Sequence, residues 1–236
     1  MNFESPLLHG KLIKRYKRFM ADVALDSGEI VTAHCANSGS MLSVNKPGSE
    51  VWLSCSDNPR RKLRYTWEMI KIGDAMVGVN TARPNKIVSE AISNGKIKEL
   101  RGYATLRNEV KYGKSSRIDI YLEDPEKGVC YVEVKNVTMK RDTNPDKPAE
   151  FPDAVTSRGA KHLAELSNMV AAGHRAVMFY LVQRNDASAM TIAGDIDPAY
   201  DDGLEKAMKA GVEVLCYDCS LTTERIAVRD ALTFPS

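Results

Sequence analysis

The chain has 236 residues, 43% hydrophobic and 27% charged. That is enough to bury a core in one large domain or two small ones, and it excludes a disordered or fibrous protein. A formal net charge of +2 argues for no partner by itself, and apolar stretches such as residues 176–182 are strand-length, far too short to span a bilayer, so no membrane partner is expected. The N-terminus lacks an apolar signal region, and the five cysteines are odd in number and irregularly spaced. Both features fit a cytoplasmic location better than secretion with a disulfide framework.

In chain order, the first 80 residues read as short strands at 12–25, 30–36, 51–55, 62–72 and 75–79, separated by turn residues such as Asp26-Ser27-Gly28 and Asn45-Lys46-Pro47-Gly48. Five short strands, the first long and bent, suggest a small all-β barrel of the OB-fold type. The net positive charge lies here. Residues 1–79 hold 11 Lys+Arg against 8 Asp+Glu, and the remainder 22 against 23. The basic residues bunch at Lys11, Lys14, Arg15, Lys17 and Arg18 and again at Arg60, Arg61, Lys62 and Arg64, with Tyr16, Phe19, Tyr65 and Trp67 interleaved. OB-folds stack bases on aromatic rings and draw phosphates with Lys and Arg, so the pattern suits single strands or backbone tracking. The competing reading places each aromatic in the barrel core and the charges on a solvated face.

The pattern changes at Thr81-Ala82-Arg83-Pro84-Asn85, which sets the expected units at 1–80 and 81–236. A short helix over 86–94 carries Ile87, Val88, Ala91 and Ile92 on its apolar stripe and stops at Gly95. Residues 118–135 then read as a β-hairpin. Alternation puts Ile118, Ile120 and Leu122 on one side of its first arm and Asp119 on the other, while Glu133 and Lys135 share a side of the second arm. With a loop symmetric about Glu126, Asp119 faces Glu133 at roughly 5 Å between Cβ atoms. A polar loop with Pro145, Pro148 and Pro152 follows over 140–156. After it come an amphipathic helix (157–172), an apolar strand (176–183), a helix (198–210), a strand (212–217) and a last strand (225–228). Strands alternating with helices after a hairpin give an α/β domain with a mixed sheet.

Two carboxylates and a lysine on one small patch can hold a divalent cation and act on a phosphodiester. Mg²⁺ takes oxygen ligands and keeps several waters, so few carboxylates suffice, and the lysine stabilises charge on the phosphate. The bland alternative is a solvated hairpin face with a cross-strand ion pair. The order helix, D-hairpin-E-x-K, helix, strand resembles the PD-(D/E)xK nuclease superfamily, with Ile118-Asp119 as first element and Glu133-Val134-Lys135 as second. The proline of the motif name is absent, and Pro152-Asp153 is a decoy because no E-x-K follows it.

The stretches Asn37-Ser38-Gly39-Ser40-Met41, Ser116-Arg117-Ile118-Asp119, 132–138 and 151–163 extend the likeness over the whole chain, which resembles the sugar fermentation stimulation protein A family. The resemblance implies an OB-like N-terminal domain and a restriction-endonuclease-like (PD-(D/E)xK) α/β C-terminal domain. It also implies non-specific DNA binding and a regulatory link to maltose metabolism. The alternative function is a Mg²⁺- or Mn²⁺-dependent nuclease acting on DNA or RNA, with Asp119 and Glu133 as metal ligands, Lys135 beside the scissile phosphate and Glu90, on the short helix, as an extra carboxylate. Arg158 and Lys161, at the N-terminus of the long helix, are expected phosphate contacts. Lys14, Arg15, Lys17, Arg18, Arg60, Arg61, Lys62 and Arg64 form the expected nucleic-acid surface. Cys216 and Cys219 have C-x-x-C spacing without a second pair, so they read as strand-end cysteines. Oligomeric state stays open, a homodimer being one option.

Overall fold

The computed structural model describes residues 1–113, 116–144 and 146–234; Pro145, one of the three loop prolines, lies outside them. In the N-terminal unit, β1 (Leu8–Tyr16), β2 (Met20–Leu25), β3 (Ile30–His34), β4 (Glu50–Cys55) and β5 (Tyr65–Ile72) pair in the order β3-β2-β1-β4-β5. A short parallel β3–β5 pairing closes the ring. Inward alternation supplies the core: Leu12, Val23, Val31, Val51, Leu53 and Trp67 are buried together. This is the expected OB-type barrel, built differently in two places. The single bent strand expected over 12–25 is two strands, because Lys17 and Arg18 both take positive φ (47° and 62°) and turn the chain so that Tyr16 faces Met20. Neither is one of the Gly, Asn or Asp residues that usually announce such a turn. The strand expected at 75–79, β6 (Ala75–Gly78), lies outside the ring. It pairs with β5 on one side, and on the other its Gly78 N–H donates to Gln183 O at 2.9 Å.

The C-terminal unit contains α1 (Pro84–Ser93), β7 (Thr105–Tyr112), β8 (Ser116–Asp124), β9 (Gly128–Val137), β10 (Ala149–Phe151), α2 (Ser157–Ala171), β11 (Arg175–Val182), β12 (Met190–Ile192), α3 (Pro198–Lys209), β13 (Glu213–Leu221) and β14 (Ile226–Ala231). Its main sheet runs β14-β13-β11-β9-β8-β7. β11 is parallel to both β9 and β13 and the outer pairs are antiparallel, so the sheet is mixed. The apolar run of β11 follows from its central place: α1 covers one face, and α2 with α3 covers the other. The polar loop over 140–156 contains one unexpected strand, β10, paired in parallel with β12. β7, also unexpected, extends the hairpin to three strands.

Both units are fastened by buried charge. Glu68 of β5 is fully buried and accepts from Arg83, at the start of α1, from Asn80 and from Ser54. Arg184, just past β11, pairs with Asp186 through two bonds of 2.9 Å and donates to Thr138 O. The chain's first residues leave the barrel altogether: Asn2 bridges to Arg225, and Phe3 N–H donates to Glu224 O.

Candidate metal centre

The β8–β9 ladder runs from Asp124↔Gly128 to Ile120↔Val132, the register expected for a loop centred on Glu126. It stops one step short of Asp119 and Glu133. There the carboxylate of Asp119 stands in for a backbone acceptor: its Oδ2 takes the Val134 N–H at 2.7 Å. The strand changes sides at the same point. Ile120 and Leu122 lie under α1, as alternation predicts, but Ile118 lies in the core beneath α2, so the expectation that all three share one side does not hold. On β7, Glu109, opposite Asp119 in register, takes φ of 54°. A locally broken ladder in mid-sheet re-aims side chains, as bulges do beside active sites.

Glu133 and Lys135 share a face of β9 and point toward His162 in the second turn of α2. Lys135 Nζ donates to Glu133 Oε1 at 2.7 Å. The same oxygen meets His162 Nδ1, and Arg158 Nε lies 3.4 Å from His162 Nε2. Lys135 Nζ also lies 3.4 Å from His162 Nδ1. An ionised carboxylate can only accept, so His162 donates to Glu133 from Nδ1. Arg158, expected as a phosphate contact, thus also touches this histidine. His162 is the site residue that periodicity missed. It lies six residues after the Thr156 cap, whose side chain accepts from Gly159 N, and only the strand–helix packing reveals its reach.

The second oxygen, Glu133 Oε2, is buried and has no hydrogen-bond partner among the described residues. Buried carboxylate oxygens are normally satisfied. Asp119 Oδ1 accepts from Asn85 Nδ2 at 2.8 Å, and the same amide reaches Glu109 Oε1 at 3.0 Å. Each ionised oxygen keeps lone pairs to spare. An unpartnered anionic oxygen beside a second carboxylate is a donor set suited to a hard divalent cation, so the residues present fit one. Electrostatics agree. Burial, then the charge of Glu133, pushes the Asp119 carboxyl up to about 6. For Glu133 burial acts in the same direction, but the bond from His162 and the charge of Lys135 outweigh it and hold the group below its usual range. Two carboxylates are thereby held together, one easily protonated and one firmly anionic.

Glu90 does not join this group. Five residues beyond Asn85 on α1, it is carried round the helix to the other side, where its Oε1 receives the Met1 amine at 2.9 Å beside Arg101, Arg225 and Arg229. The extra carboxylate near Asp119 comes instead from β7, as Glu109. The Asp119–Glu133 patch forms the floor of a cleft of about 580 Å³ between the barrel and the α/β unit, with Arg18, Ser38, Gly39, Asp153 and Arg158 among its walls.

Of the expected phosphate-binding residues, Arg18 and Arg158 reach the cleft. Lys161 lies 3.7 Å from Glu165. Arg15 is committed to the protein, its guanidinium donating to the carbonyls of Asn37, Gly39 and Ser40. Lys14 pairs with Asp22, Arg64 with Asp57, and Arg61 donates to Thr66. Lys17, Arg60 and Lys62 are exposed on the barrel. Trp67 is core, its indole N–H donating to Met69 O, whereas Phe19 is exposed. Cys216 and Cys219 pack on opposite faces of β13.

Comparison with known proteins gives one consistent result. Residues 13–79 match the model of the SfsA N-terminal OB domain, and residues 82–225 that of the sugar fermentation stimulation protein RE domain. A sugar fermentation stimulation protein homolog of Rhodospirillum rubrum is 63% identical over 228 residues, covering 94% of this chain and 93% of the relative. One from Rhodospirillum centenum is 58% identical, covering 97% of each. A solved structure of Pyrococcus furiosus SfsA in complex with Ca²⁺ superposes with a TM-score of 0.89 at 24% identity, over 100% of this chain and 98% of that one.

Proposed function

Since the chain belongs to the sugar fermentation stimulation protein family, we propose that it is a nucleic-acid-binding protein whose C-terminal unit is a divalent-cation-dependent phosphodiesterase. The observation that carries this reading is Glu133 Oε2, buried and unpartnered next to Asp119 while Oε1 is held by Lys135 and His162. Asp119 and Glu133 would hold Mg²⁺ or Mn²⁺; the Ca²⁺ in the Pyrococcus furiosus relative favours a site for a hard cation. Such a cation supplies charge neutralisation at the phosphate and acidifies a water. Lys135 stabilises charge on the phosphoryl oxygens, Asn85 and the Val134 N–H orient Asp119, and His162 orients Glu133.

DNA is the proposed partner, bound without sequence preference through backbone charge, with RNA as a second candidate. The working division is a nucleic-acid-binding unit at 1–80 and a nuclease-like unit at 81–236. A regulatory part in sugar (maltose) metabolism rests on the family relationship, and a cytoplasmic location on five free cysteines. Among the described residues no helix is long and apolar enough to cross a membrane. The test is incubation of DNA and RNA with Mg²⁺ or Mn²⁺. Cleavage that Glu133→Gln and Lys135→Ala abolish while binding persists is expected. No cleavage of single-stranded, duplex or branched substrates would remove the enzymatic part.

A further inference from the structure

Resting on that reading, we propose that the cleft admits a single-stranded segment of nucleic acid and excludes paired duplex from the carboxylates. Depth is the first argument. Glu133 and His162 are 2% and 4% exposed, so a phosphate reaches them only by entering the cleft. The walls are the second. The carboxylates lie on the floor of the cleft, with Arg18 and Gly39 of the barrel and Asp153 and Arg158 of the α/β unit around them.

The third argument is a strap joining the two units along one side of the cleft. Barrel residues 37–41 and the segment after β10 meet directly: Ser40 Oγ donates to Asp153 O at 2.5 Å, and Met41 N–H to Asp153 Oδ2 at 2.8 Å. The approach is close enough that a Cβ on Gly39 would lie 2.6 Å from Asp153 Oδ1. On the barrel side, Arg15 ties down the carbonyls of Asn37, Gly39 and Ser40, so the wall is not a free loop. The Pro-Asp dipeptide that mimics a nuclease motif is therefore the anchor of this strap.

Charge is the fourth. Arg18 enters the cleft from the β1–β2 turn, Arg158 from α2 and Lys135 from the floor. Together they place cations on both walls and at the base, among the carboxylates of Asp119, Glu133, Glu150 and Asp153, so that a backbone phosphate meets positive charge at these three points. Of the barrel aromatics, Trp67 is core and Tyr16 donates to Asp22, while Phe19, next to Arg18, is exposed. The strand is assigned to the space between the units because the carboxylates and the three cations line it. Ribose and deoxyribose strands share the backbone chemistry that these groups read.

Fluorescence anisotropy with Ca²⁺ present tests this, using one labelled oligonucleotide in deoxy and ribo forms, each alone and annealed to its complement. A single strand of either sugar is expected to bind about tenfold more tightly than its duplex. Arg18→Ala should weaken the single strand several-fold and lower its salt slope by about one, with no change for duplex. Asp153→Ala, or Ser40→Ala as the milder cut in the strap, should narrow the gap by admitting duplex. Duplex binding as well as or better than single strand overturns the inference but leaves the cation site standing if Glu133-dependent Mn²⁺ binding persists. A single-strand preference that both strap variants leave intact overturns the strap as its cause. Binding of neither form overturns the phosphodiesterase reading as well.

Discussion

Glu90 and Glu133 are both acidic residues of the α/β unit, and the fold treats them in opposite ways. Glu90 sits on the outer side of α1 with its carboxylate 42% exposed and matched to the Met1 amine; solvent and protein together satisfy it. Glu133 is 2% exposed, and the described residues supply partners for one oxygen only. A carboxylate that its surroundings complete is an anchor. One that they desolvate, hold anionic and leave short of a partner beside a second carboxylate is the group the proposed cation would complete. Helix geometry makes the difference, because Asn85 at the start of α1 faces Asp119 and a residue five positions later cannot.

The sharpest way to break that contrast is to exchange the roles. Glu133→Gln should abolish Mn²⁺ binding measured by calorimetry, whereas Glu90→Gln should leave it unchanged. Equal losses would show that the unpartnered oxygen is not the ligand. Next in size is His162→Ala, which frees Glu133 to rotate and should weaken Mn²⁺ affinity about 10–100-fold, the usual effect of losing a group that orients a ligand. His162→Gln, keeping a donor, should recover part of it.

A third effect is set by pH. Asp119 is raised to about 6 and must lose its proton to bind a cation, so affinity should fall about tenfold per pH unit below that value. Asp119→Asn should flatten the profile. The sign for the cation-free fold is the reverse. Asp119 favours folding fully below its unfolded value near 4 and loses that contribution as pH rises through about 6. Calorimetric scans should therefore show cations raising the Tm more at pH 8 than at pH 5. The last effect belongs to Glu90→Gln, which removes the charge opposite a Met1 amine that is itself buried and should lower the denaturation midpoint without touching the cation site.

Much of this was legible in the residues. The hairpin register followed from strict alternation about a turn-rich loop, and the α/β order from periodicity, because both are local. What was not legible depended on three-dimensional context. Lys17 and Arg18 make a turn without a turn residue. Thr105–Tyr112 reads as polar and charged because β7 is a sheet edge. The side change at Ile118 arises only where Asp119 replaces a ladder acceptor. His162 sits in a stretch that had already stood out for its likeness to a family, yet its role appears only when α2 packs over β9. The basic clusters show the same limit: composition marks them as a surface, while the fold spends Arg15 on carbonyls and directs Arg18 into the cleft.

The most direct measurement is anomalous diffraction from crystals soaked in Mn²⁺. The account predicts a peak between Asp119 and Glu133, coordinated through Glu133 Oε2, with none beside Glu90. Full soaking without a peak at Asp119 and Glu133, or a cation held elsewhere in the α/β unit, would contradict it.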